Sequence, residues 1–214
     1  MEAWNEAWAT EAGRREWLEP DQFVVSLLPT LRAINVQRGL DLGFGVGRHA
    51  ILLAQQGITM YGLDAAANGL AYANAWAVRE ELSLNLRTGD MTKLPYADNF
   101  FDLIITWNVI YHGTIDVIQQ TVSEIERCLK PGGHLICTLI SHSHKRYGKG
   151  DEIEENTFVI PDSGESSHPH HYFNRAEAQH LLRHFTLYRC EDVDHAVDQS
   201  GSYHWQIHAT LRDE

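Results

Sequence analysis

The sequence predicts an α/β fold, with a mostly parallel sheet and helices on both faces. Three observations carry this. Short apolar runs alternate with segments of helical periodicity, a glycine-rich turn follows the first run, and 214 residues at 43% hydrophobic content suffice for one compact layered core.

Taken in order, residues 1–17 are acidic and Trp-rich rather than signal-like. Pro20 and the run Phe23-Val24-Val25-Ser26-Leu27-Leu28 then predict a helix with proline in its first turn and an apolar face behind it. Residues 1–35 thus read as a helical cap over one end of the sheet. Five strands are expected next, over 38–42, 59–63, 83–88, 101–107 and 134–140. Between the last two, Ile115, Ile118, Val122, Ile125 and Leu129 recur at steps of three or four, which puts them on one helix face. Lys130-Pro131-Gly132-Gly133 is expected to end that helix.

Residues 141–173 carry Ser, His, Gly and charge with little periodicity, and read as an inserted loop long enough to be a lid or an acceptor-binding segment. Asn174-Arg175-Ala176-Glu177 has the pattern of a capping box opening a helix with Leu181 and Leu182, and a strand follows from Phe185. In the last segment Tyr203, Trp205, Ile207, Ala209 and Leu211 alternate with His204, Gln206, His208 and Thr210, the mark of a two-faced strand. The 192–202 connection is long enough to return it antiparallel to its predecessor. The domain expectation is therefore one unit over 1–214, with its core at 36–140 and a helix and strand pair at 174–214.

Composition excludes several function classes. With 29 acidic against 17 basic residues, the formal charge of −12 repels a phosphate backbone, and no Lys/Arg stripe offsets it. Nucleic acid is not an expected partner, nor is an acidic membrane surface. No run approaches the roughly 18 apolar residues a spanning helix needs, so the expected location is the cytoplasm and the expected state a monomer or homodimer. Cys128, Cys137 and Cys190 are odd in number, widely spaced and in apolar contexts, and are expected as free thiols.

The chemistry concentrates after the first strand. Asp41-Leu42-Gly43-Phe44-Gly45-Val46-Gly47 runs an apolar strand into three alternating glycines and then toward a helix near Arg48, letting backbone approach a ligand closely. A dinucleotide fingerprint places its third glycine where Arg48 stands. Asp41 would also set carboxylate against pyrophosphate, whereas beside a cationic amino-acid moiety it is favourable. Asp64 ends the second strand, where a carboxylate can accept hydrogen bonds from ribose hydroxyls, a feature shared with NAD-binding proteins. Asp90 follows Thr88-Gly89 and can accept from an exocyclic amine. Asp64 and Asp90 as helix caps, and Asn108 as an ordinary turn residue, are the structural alternatives.

Together, the segment Asp41 to Gly47, Asp64, Asp90, Phe101-Asp102-Leu103-Ile104-Ile105 and Leu129-Lys130-Pro131-Gly132-Gly133-His134-Leu135 resemble class I S-adenosylmethionine-dependent methyltransferases in order and spacing over residues 36–140. The resemblance implies a Rossmann-like sheet of seven strands whose last is antiparallel. It also implies that Gly43, Gly45 and Gly47 face the methionine part of the cofactor, with Asp41 near its ammonium. Asp64, with Ala65 beside it, would hold the ribose. Asp90 and the Met91 backbone would read the adenine edge, and Asn108 would lie beside the sulfonium. On fewer residues, the end of the fourth strand, the acidic block 150–159 and His170-His171-Tyr172-Phe173 resemble small bacterial methyltransferases grouped with tellurite-resistance enzymes, a membership that names no substrate.

The fourth strand lacks the Asn/Asp-Pro-Pro-Tyr run that resembles amino-group methylation of DNA bases and glutamine, so the expected acceptor is a small molecule with an O, N, S or chalcogen nucleophile. Tyr111 and His112 follow that strand, with His112 read either as a base tuned near neutral pH or as a solvent-facing helix-start residue. His142, His144, His168, His170 and His171 crowd the long segment, but they flank a proline without regular ligand spacing. No metal is expected there. His170 and His171 are instead expected on an acceptor lid, with a solvated loop as the alternative. Two rival classes are an NAD-dependent oxidoreductase and a non-catalytic module that binds the cofactor without turnover.

Overall fold

The computed structural model describes residues 2–161, 164–195 and 201–213. It opens with α1 (Glu2–Ala9), the short α2 (Glu11–Arg14) and α3 (Gln22–Ala33). Asp21, not Pro20, starts α3: its Oδ1 accepts the Phe23 amide at 2.9 Å, so the proline lies ahead of the cap.

The alternating core follows as β1 (Arg38–Leu42), α4 (Arg48–Ala54), β2 (Thr59–Asp64), α5 (Ala67–Arg79), β3 (Asn85–Thr88), β4 (Phe101–Thr106), α6 (Ile115–Cys128) and β5 (Leu129–Ile140). After β5 come β6 (Asp151–Glu154), β7 (Thr157–Val159), β8 (His170–His171), α7 (Arg175–Leu181), β9 (Phe185–Asp194) and β10 (Tyr203–Leu211).

Seven strands form one sheet in the order β3-β2-β1-β4-β5-β10-β9. The first five are mutually parallel, and β10 inserts antiparallel to both neighbours, pairing His204 with Ile140 on one side and with Val193 on the other. The predicted antiparallel last strand is thus present. Strand β9 runs on to Asp194, so its link to β10 is shorter than the 192–202 connection read from sequence.

Both sheet faces are covered, which is why β4 is apolar at successive positions rather than alternate ones. Ile104 packs with Ile118, Val122 and Ile125 of α6 on one face. Leu103 and Ile105 point the other way, to Phe23, Val24 and Leu31 of α3.

Two further expectations are corrected. Helix α6 ends at Cys128, and Leu129 already pairs with Phe101, so Lys130 to Gly133 form a register shift within β5 rather than a helix cap. Residues 141–173 are not a bare loop: β6, β7 and β8 make a three-stranded antiparallel sheet. Strands of two to four residues are too short for alternation to show. The three cysteines are free, two of them buried, and no helix among the described residues is long and apolar enough to cross a membrane.

Candidate active site

The carboxyl ends of β1, β2 and β4 open on a cavity of about 450 Å³, within the range of small-molecule sites. Its floor is the turn after β1. Gly43 and Gly47 sit at φ +73° and +90°, where side chains are strained. A Cβ at 43 would lie 2.3 Å from Val109 Cγ2, and one at 47 would lie 2.9 Å from the Ala73 Cβ. Packing and backbone conformation both demand glycine there.

Asp64 straps this turn. Its Oδ2 accepts the Gly45 amide and its Oδ1 the Ala66 amide, each at 2.7 Å. Burial pushes the carboxyl above its ordinary value, opposed by the Ala66, Gly45 and Ala65 amides. Asp90 is held below its ordinary value, because its Oδ1 accepts both the amide and the hydroxyl of Thr92 at 2.8 Å. Asn108 takes φ +61°, donates its amide to Thr138 Oγ1 at 2.7 Å and accepts the Thr138 hydroxyl at 3.1 Å.

Gly43, Gly45, Asp64, Ala65, Asp90, Met91 and Asn108 all line the cavity, so most of the cofactor set inferred from the sequence converges on one space. Asp41 and Gly47 stand one layer back. Asp41 is only 2% exposed, and its Oδ2 accepts the Ala50 amide at 3.0 Å, in the first turn of α4. Burial drives its carboxyl up to about 7, against the Ala50 hydrogen bond and the Arg48 charge. It ties the end of β1 to the first turn of α4.

On the opposite wall only His112 of the expected acceptor-side residues reaches the cavity. Its enclosure, then the neighbouring His170 and His168, hold the imidazole well below its ordinary value, so it is neutral at pH 7 and a weaker base than a near-neutral one. Tyr111 is 5% exposed and packs behind it, ring centroids 4.5 Å apart. His170 is buried and joined to His112 by an antiparallel bridge. His171 points to the other side of β8, its Nδ1 2.7 Å from Thr157 Oγ1, which takes it out of the site.

Several wall residues were not singled out by sequence. Trp4, Trp8 and Trp17 close the cavity from the N-terminal helices, Trp4 stacked on Trp8 at 5.0 Å and Trp17 edge-on to both. The i, i+4 spacing of Trp4 and Trp8 signals a shared helix face, but nothing local says what that face covers. Asn5 pins α1 to α5, accepting the Asn68 amide at 2.9 Å and the Asn68 side-chain amide at 2.8 Å. Trp107 lines the cavity as well, beside Arg48 and His168, which the sequence already brings to notice.

Comparison with known proteins bears on the fold and the family. Residues 40–137 match the family described as the methyltransferase domain. A ubiquinone biosynthesis O-methyltransferase of Rickettsia akari is 28% identical over 116 residues, 54% of this chain and 45% of the relative. The corresponding Brucella ovis protein is 29% identical over 118 residues, covering 55% and 46%. The chain therefore spans less than half the length of these curated relatives. Among solved structures, an S-adenosylmethionine-dependent methyltransferase of Methanosarcina mazei superposes with a TM-score of 0.75 at 21% identity, over 92% of this chain and 100% of that one. The N-methyltransferase NodS of Bradyrhizobium japonicum, in complex with S-adenosylhomocysteine, gives 0.72 at 17% over 99% and 98%. At these identities the structural likeness speaks for the fold.

Proposed function

We propose, for a chain whose residues 40–137 match the methyltransferase-domain family, that it transfers the methyl group of S-adenosylmethionine to a small-molecule O, N, S or chalcogen nucleophile. The carrying observation is the single cavity that unites the positive-φ glycine turn with Asp64, Asp90 and Asn108.

The residues present suit that cofactor. Two carboxylates on the wall favour a cationic ligand over a pyrophosphate, and Arg48 on the same wall offers an amino-acid carboxylate its partner. Asp64 would accept from ribose hydroxyls and Asp90 from the adenine edge, while Gly43 and Gly45 line the cavity without side chains of their own. When bound, the cofactor supplies an electrophilic methyl group on a cationic sulfur. The chain's own contribution is to exclude water and orient the acceptor. Trp4, Trp8 and Trp17 do the first by closing the cavity, and His112 with Asn108 borders the space left for the acceptor. Tyr111 and His170 then back His112 rather than touching the acceptor, and His171 lies outside the site. We read the protein as cytoplasmic and acting alone or as a homodimer.

Calorimetric titration with S-adenosylmethionine and S-adenosylhomocysteine, with NADH as control, tests this reading. Saturable binding of both adenosyl compounds and none of NADH is expected. Folded protein that binds neither would overturn it.

A further inference from the structure

Three imidazoles from two distant parts of the chain meet at the acceptor side of the cavity. His112 follows β4, His168 precedes β8 and His170 lies in it, and each offers one nitrogen such that the three atoms lie within 4.8 Å of one another. His112 and His168 face the cavity, with His170 buried behind them. We propose that His112, His168 and His170 form a binding site for one divalent transition-metal ion, with its remaining coordination positions turned to the cavity.

Hydrogen bonding sets the tautomers for this. His112 Nε2 lies 3.1 Å from the Asn108 carbonyl oxygen, and a carbonyl only accepts, so Nε2 carries the proton and Nδ1 presents its lone pair. His170 Nδ1 lies 2.9 Å from the His168 carbonyl oxygen, so Nδ1 carries the proton and Nε2 is the ligating nitrogen. Metal-bound histidines characteristically donate their second ring N–H to such a carbonyl, which orients the ring and raises the basicity of the ligating nitrogen.

His168 Nε2 lies 2.9 Å from His112 Nδ1. Two lone pairs do not face each other at that distance, so in the metal-free chain His168 donates its Nε2 proton to His112. Metal uptake needs only the move of that proton to His168 Nδ1, a tautomer change with no net proton loss. Metal–nitrogen bonds of about 2.0–2.1 Å at tetrahedral angles separate ligand nitrogens by roughly 3.3 Å, so rotations of a few tenths of an ångström to about 1 Å suffice.

The donor set chooses the ion class. Imidazole alone, without carboxylate or thiolate, suits zinc, iron, nickel or copper and not magnesium or calcium. Three protein ligands leave an open position, the arrangement of catalytic rather than structural zinc. An anionic oxygen or sulfur of an acceptor entering the cavity would find it. That last service rests on the methyl-transfer reading, whereas the ion's binding does not.

The test uses the full chain, stripped with a chelator and titrated with zinc(II) by calorimetry. Cobalt(II) absorption and zinc-edge X-ray absorption report the ligands. One equivalent is expected, with three nitrogen neighbours, and His112→Ala and His168→Ala should each weaken binding by at least about 30-fold. His168 is half-buried just outside β8, so its variant decides the matter should His112→Ala fail to fold. The control is His208→Ala, because His134 Nδ1 and His208 Nε2 form a separate pair at 3.0 Å, and affinity should stay within about threefold. No stoichiometric uptake by folded wild type, or uptake untouched in His168→Ala, overturns the proposal. So does loss of binding only in His208→Ala. S-adenosylhomocysteine affinity measured on the same samples separates the two readings: retained cofactor binding without zinc binding removes the metal site alone.

Discussion

Asp64 and Gly45 are joined across the floor of the cavity, with Asp64 Oδ2 accepting the Gly45 amide at 2.7 Å while Oδ1 holds Ala66. One carboxylate therefore shapes the glycine turn, holds the residue ahead of α5 and faces the cavity. Asp64→Ala strands two amides and should lower stability by about 2–4 kcal/mol, measured by urea unfolding. Asp64→Asn keeps one acceptor and removes the charge. It should fold with a smaller loss yet weaken S-adenosylmethionine binding by at least about tenfold in calorimetry.

Asp41 makes the unliganded protein's stability pH-dependent. Its carboxyl sits at about 7 in the folded chain because burial, helped by Asp64, outweighs the Ala50 hydrogen bond and the Arg48 charge. In the unfolded chain it returns to about 3.8. Between those values the folded state binds the proton more tightly, so the Asp41 contribution falls as pH rises through this window and is fully unfavourable above 7. Asp41→Asn retains an oxygen for Ala50. Its stability relative to wild type should be higher at pH 8 than at pH 5, by about 2.5 kcal/mol, in paired urea melts. Equal differences at both pH values would refute the assignment.

Gly43 and Gly132 have nearly the same backbone, φ +73° and +72°, but different surroundings. A Cβ at 132 meets nothing within 4 Å, while one at 43 runs into Val109. Gly132→Ala should cost about 1 kcal/mol from backbone strain alone. Gly43→Ala adds displacement of a stiff β-branched neighbour and should cost roughly 2–4 kcal/mol, partly recovered in the double variant with Val109→Ala.

The tryptophan lid should report cofactor binding directly. Trp4, Trp8 and Trp17 all line the cavity, so intrinsic fluorescence should change saturably on titration with S-adenosylhomocysteine. Trp4→Ala removes a half-buried face and should raise Kd about tenfold with little loss of stability. Trp8→Ala empties a buried site and should destabilise the chain by roughly 3 kcal/mol or more in the same melts.

The order of β1, its glycine turn, α4 and β2 is legible because each is a local pattern: an apolar run, three alternate glycines at positive φ, and a strand ending in Asp64. The two-faced strand β10 is legible for the same reason, since strand periodicity is written in consecutive residues. The depth of Asp41 is not, because a strand-end carboxylate reads alike whether it faces a cavity or caps the next helix. Neither is the small sheet within 141–173.

The sequence by itself determined the layered α/β core and the glycine turn at the end of β1, for these are made by residues close together along the chain. Only the tertiary structure decided which histidines gather at the cavity. The meeting of His112 with His168, 56 residues on, depends on β8 pairing beside the end of β4. The register of that two-residue strand turns His170 toward His112 and His171 toward Thr157. A shift of one residue would exchange them, and no local pattern specifies a register set by pairing across so long a loop.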